Sequence, residues 1–103
     1  MFFGFLKQIV VEAAVLGALM LEKDAFTTVC ELIKPESFYD PRHRLVYEAI
    51  ASLGVNQEPI DLMTVTDRMR SNETLEQVGG AAFLVELTAN VASAAHVEYH
   101  ARI

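Results

Sequence analysis

A chain of 103 residues has room for one hydrophobic core and little more. It is 52% hydrophobic and 21% charged, a balance that argues against intrinsic disorder. Fourteen acidic against eight basic residues give a net charge of -6, so the chain lacks the basic footprint of a domain that grips a nucleic-acid backbone on its own.

The opening residues, MFFGFLKQIV, resemble a secretion signal only superficially and are not expected to act as one. Their apolar run is short, Lys7 lies inside it, and no small-residue cleavage site follows. The stretch from Ile9 to Leu21 is broken by Glu12 and falls short of a membrane span. The three phenylalanines of the first pentapeptide are expected to pack on a neighbouring surface, or to order when a partner arrives. Spacing predicts a first helix from Lys7 to Leu21. Ile9, Ala13, Leu16 and Met20 form one stripe, with Val11, Val15 and Leu19 roughly opposite, as in a helix buried between several neighbours.

Asp24 is placed to cap a second helix running to Lys34, with Phe26, Val29, Cys30 and Ile33 inward and Pro35 as its stop. Cys30 is the only cysteine, so no internal disulfide is possible; it reads as a small buried hydrophobe in a reducing, cytoplasmic setting. Phe38 and Tyr39 are too apolar for a purely solvated connection. Asp40-Pro41 is the strongest boundary signal, a carboxylate at the cap followed by a proline in the first turn. The third helix then buries Leu45, Val46, Ala49, Ile50 and Leu53 and ends at Gly54. Arg42, His43 and Arg44 run against its dipole, so other groups must hold those charges.

Asp61 opens a fourth helix from Leu62 to Arg70, burying Leu62, Val65 and Met69. Ser71 to Val78 reads as one loose helical turn closed by Gly79-Gly80. A fifth helix follows from Ala81 to Val91 on Phe83, Leu84, Leu87 and Val91. Ser93 caps a sixth, from Ala94 to Ile103, whose weak apolar stripe is that of a longer helix that has been cut. No segment alternates with period two. The expected fold is all-α, a compact irregular domain of about six short helices with the last one truncated. Residues 1–8 form an apolar amino-terminal segment, 9–95 a helical head and 96–103 the start of a linker-hairpin helix.

The chemistry-bearing residues are sparse. His96 and His100 share a helix face, but HVEYH has neither the glutamate placement nor the third ligand of a zinc site. Asp40 and Asp61 are explained as caps, and Glu48 has no paired carboxylate. Gly79-Gly80 is followed by Ala-Ala-Phe, with no lysine or hydroxyl to meet phosphate. No catalytic, cofactor-binding or metal-ligating residue is therefore assigned. The one basic-aromatic concentration is Arg42, Arg44, Tyr39 and Tyr47, from which Arg42, Arg44 and Tyr47 are singled out as a protein interface. Local bracing of the fold is the competing use of the same residues.

Five segments in order carry a resemblance: VEAAVLGALMLEKDAF, ESFYDPRHRLVYEAI, PIDLMTVTDRM, LEQVGGAAFLVEL and TANVASAAHVEYHARI. Together they resemble the amino-terminal domain of DnaB-type bacterial replicative DNA helicases. The chain departs from that pattern in having FLKQIV where the family carries a proline-containing stretch, and Ala81 where a larger apolar residue commonly follows V-G-G.

The resemblance implies a non-catalytic collar domain that supports ring assembly and primase interaction during DNA replication. It implies self-association in a hexameric parent, contact with primase and a helicase loader, and no membrane partner. The parent would be an ATP-dependent helicase whose missing motor binds ATP, magnesium and DNA; this fragment itself would carry no cofactor. A free-standing helical adaptor is the first alternative. A small DNA-binding domain is the second, and the acidic balance weighs against it.

Overall fold

The computed structural model describes residues 2–22 and 24–89, with side chains from Gln8 onward. Among the described residues five helices follow one another: α1 (Phe2–Leu21), α2 (Ala25–Leu32), α3 (Pro41–Val55), α4 (Leu62–Ser71) and α5, whose described part is residues 81–89. Short 3₁₀ turns at Pro35–Ser37 and Glu76–Val78 stand before α3 and α5. No strand occurs among the described residues, so the all-α expectation holds. The expected sixth helix, with Ser93, His96 and His100, lies outside the described residues.

Helix α3 is the hub. It packs against α1, α2, α4 and both 3₁₀ turns, and its Val46, Tyr47, Ala49, Ile50 and Leu53 are all buried. Leu16, Leu19 and Met20 of α1, Val65 and Met69 of α4, and Leu84 and Leu87 of α5 complete the core. The first helix is longer than its periodicity predicts, beginning at Phe2 instead of Lys7. It is also less enclosed: Val10, Val11 and Leu21 remain exposed.

Three helix ends differ from expectation, each for a local reason. Helix α2 stops at Leu32, before Lys34. Lys34 precedes a proline and is driven to an extended conformation, with φ -108° and ψ 160°. Asp24 precedes α2 but its side chain makes no capping bond, because φ -105° and ψ 6° keep it out of the β region that capping requires. Cys30 is half-buried, not enclosed, and its thiol faces the Thr27 carbonyl oxygen at 3.5 Å.

Gly54 does not end α3. The helix continues to Val55, and Gln57 supplies the left-handed residue at φ +58°. The Glu58 amide donates to the Leu53 oxygen and the Gln57 amide to the Gly54 oxygen, the paired bonds of a Schellman turn. Helix α4 closes the same way, with Glu73 at φ +62° and the Thr74 amide donating to the Met69 oxygen. Gly54 instead serves a close approach: a Cβ there would overlap the Phe26 ring of α2.

The remaining boundaries match. The Asp40 carboxylate accepts from the Arg42 amide at 2.9 Å. Asp61 and Thr64 form a reciprocal capping box at the start of α4, with bonds of 2.8 and 2.9 Å. Gly79 and Gly80 adopt φ +102° and +81°, where a side chain would be strained, and turn the chain into α5.

Candidate functional site

Glu12 is the only charged residue of α1 between Lys7 and Glu22, and it is buried at 3% exposure. A carboxylate in that position must find donors or lose the solvation it gave up. It finds four. The Tyr39 and Asp40 amides donate to it, the latter at 3.2 Å, and Gln8 donates from one turn earlier at 3.1 Å. His43 Nδ1 lies 2.8 Å from Oε1. A carboxylate only accepts, so Nδ1 carries the proton. Burial pushes the Glu12 carboxyl up, but the bonds from Tyr39, His43, Gln8 and Asp40 together outweigh it and leave the group below its ordinary value.

The bend at residues 39–40 is thereby tied to the middle of α1, which sets where α3 begins. Asp40 is buried too. Burial raises its carboxyl, but the Arg42 side chain and amide, with the nearby His43, bring it below the usual range. Arg42 reaches back to Asp40 through Nη2 at 3.0 Å and Nε at 3.3 Å. That bond raises the guanidinium, partly offset by burial. Its Cζ also lies 4.6 Å from the centroid of the Phe83 ring of α5, a cation-π contact. His43 stacks on Phe83 at 5.9 Å between centroids, with Phe38 edge-on to it at 6.5 Å. One polar node thus joins α1, α3 and α5.

The three interface candidates divide here. Arg42 keeps half of its side chain exposed while bound to Asp40. Arg44 is exposed, and its Nε donates to the Phe38 carbonyl oxygen at 2.7 Å. Tyr47 is 2% exposed, and its hydroxyl donates to the Ile33 oxygen at 2.6 Å. Burial raises its phenol. Tyr47 therefore braces the segment between α2 and α3 and presents no surface. Tyr39, 58% exposed, lies beside the two arginines in sequence and supplies the aromatic surface instead.

Sequence reasoning passed over Glu12 as a break in an apolar run. Its signal was present: Glu12, Leu16 and Leu19 share one helix face. The arrangement holds backbone in place and exposes no reacting pair, since Glu12 and His43 are each at most 3% exposed. Among the described residues no group of three or more histidines, cysteines or carboxylates is placed to hold a metal.

Residues 5–103 match the family described as DnaB-like helicase N terminal domain. The replicative DNA helicase DnaB of Rhodothermus marinus is 49% identical over 92 residues, covering 89% of this chain and 10% of that protein. The replicative DNA helicase DnaC of Bacillus subtilis is 41% identical over 92 residues, covering 89% of this chain and 20% of that protein. The chain thus spans a tenth to a fifth of these relatives. Among solved structures, the N-terminal domain of DnaB helicase from Mycobacterium tuberculosis superposes with a TM-score of 0.77 at 39% identity, covering 80% of this chain and 57% of that one.

Proposed function

This chain belongs to the family of DnaB-like helicase N-terminal domains, and from that premise we propose that it is the non-catalytic collar head of a replicative helicase. In this reading the head pairs within a hexameric ring and offers primase a surface, with a helicase loader as a further partner. In the same reading ATP, magnesium and translocating DNA belong to a motor domain of the parent helicase, and the protein works in the cytoplasm. The observation that carries the reading is the family match over residues 5–103.

The structure adds a physical rationale. A domain whose helix starts are tied together by a buried polar node keeps its surface geometry fixed. A rigid domain repeated around a ring raises the local concentration of each bound primase without one strong contact. Arg42, Arg44 and Tyr39 are the exposed polar and aromatic groups beside that node, the residue types favoured where partners bind. No helix among the described residues is long and apolar enough to cross a membrane.

The test is a titration of this chain, and of a longer chain that restores the following hairpin, with the carboxyl-terminal domain of the primase from the same organism. A DNA oligonucleotide is titrated in parallel. The reading expects modest primase binding to at least one of the two chains and weak DNA binding to both. Salt-sensitive DNA binding with no primase binding would overturn it in favour of a DNA-binding domain.

A further inference from the structure

The opposite end of α3 carries a second feature that none of these contacts uses. Met20 and Leu21 from α1, Phe26 from α2, and Pro59 and Ile60 from the loop before α4 line an open cleft of about 580 Å³. That is the size of sites that seat the side chains of a ligand. Gly54 helps to shape it, because the Phe26 ring lies against α3 only where a Cβ is missing. The apolar surface is not spent on the core: Leu21 is 55% exposed, and Val55 at the same end of α3 is 77% exposed.

Charge decides what fits. Asp24, Glu58 and Asp61 border the cleft, and Glu22 adjoins Leu21 in sequence. Among the described residues Arg68 stands against these four carboxylates, paired with Glu58 at 2.6 Å. Asp61 is committed to the Thr64 amide, whereas the Asp24 side chain makes no cap bond. Helices α1 and α3 both end here without a basic residue in the last turn. Their carbonyl ends therefore add negative potential. Helices α2 and α4 begin here with an aspartate at each cap, which opposes their positive ends.

We propose that this cleft docks a cationic amphipathic helix of a partner protein, with apolar side chains on Leu21, Phe26 and Ile60 and lysine or arginine beside Asp24. The helix-in-groove mode suits an open apolar floor between helix ends, and the acidic border selects the sign of the flanking charge. Arg42 and Gly54 are twelve residues apart on α3, roughly 18 Å along the axis. The proposal thus concerns a different surface from the primase reading and stands without it.

The probe is a labelled Leu/Lys peptide of about four helical turns patterned as an amphipathic helix, beside a scrambled peptide of the same composition. Each is titrated onto the chain, with amide chemical shifts followed by NMR. Shifts concentrated at residues 20–27 and 54–61, and binding about tenfold tighter than for the scrambled peptide, are expected. Asp24→Lys and Ile60→Glu should each weaken binding by about tenfold or more. Should Ile60→Glu fail to fold, Asp24→Lys carries the test, because that side chain makes no cap bond. Equal binding of the two peptides, shifts scattered over other acidic surface, or an Asp24→Lys chain that binds as well as the parent would each overturn the proposal.

Discussion

The two ends of α3 are built on opposite principles. At the amino end every buried polar group is used: Glu12 takes four donors, Asp40 takes the Arg42 amide and guanidinium, and aromatic rings close the gaps. At the carboxyl end the aspartate before α2 makes no cap bond, apolar side chains stay exposed, and Gln57 stands in the left-handed region that favours glycine. Burial with full pairing makes a brace. Exposure with unmatched charge makes a surface that can still gain from a contact. The difference teaches that a small helical domain can hold its shape from one end of a helix and leave the other end open.

The largest effect should come from the brace. Glu12→Ala leaves two amides and the His43 N–H without their acceptor, and stability should fall by about 3–5 kcal/mol, because each buried donor left unpaired costs about 1–3 kcal/mol. A denaturant series measures it, and an unchanged midpoint would mean that Glu12 does not tie the bend to α1. Acid should act on the same group. Glu12 and Asp40 are both held below their ordinary values when folded, so their contribution is complete above the unfolded values of about 4. It is lost as pH falls through the lowered folded values. Thermal melts from neutral to acid should show that loss, and Glu12→Gln should flatten it.

Asp40→Ala should cost about 1–2 kcal/mol, since it removes both the cap of α3 and the anchor of Arg42. At the other end the sign reverses. Gln57→Gly relieves a non-glycine residue from the left-handed region, and should stabilise by about 1 kcal/mol in the same denaturant series. A loss there would mean that the Gln57 side chain supports the turn. Asp24→Ala should change stability by less than about 0.5 kcal/mol. A cost equal to that of Asp40→Ala would erase the contrast between the two caps.

Much of this was legible in the residues. Asp40-Pro41 and Asp61 announced their helices because capping is local chemistry, decided within four residues. The charges of Arg42, His43 and Arg44, placed against a dipole, predicted that partners must exist, and Asp40, Glu12 and the Phe38 carbonyl oxygen proved to be those partners. The partner of Glu12 was not legible, since His43 lies 31 positions away and only the packing of α1 on α3 brings them together. Tyr47 failed as a surface residue for a related reason. Tyrosine serves buried braces and interfaces alike, and its hydroxyl partner at Ile33 depends on how the chain leaves α2. Gly54 was misread because a glycine near a helix end serves a turn or a close approach equally well, and only the position of Phe26 separates the two.

The brace is tested most directly by amide hydrogen exchange at Tyr39 and Asp40. Neither amide belongs to a helix, and both donate to Glu12. The account predicts strong protection at both positions near neutral pH, and its loss in Glu12→Ala at residues 39 and 40 before α4 is affected. Exchange at the rate of an unstructured peptide in the parent chain would contradict it.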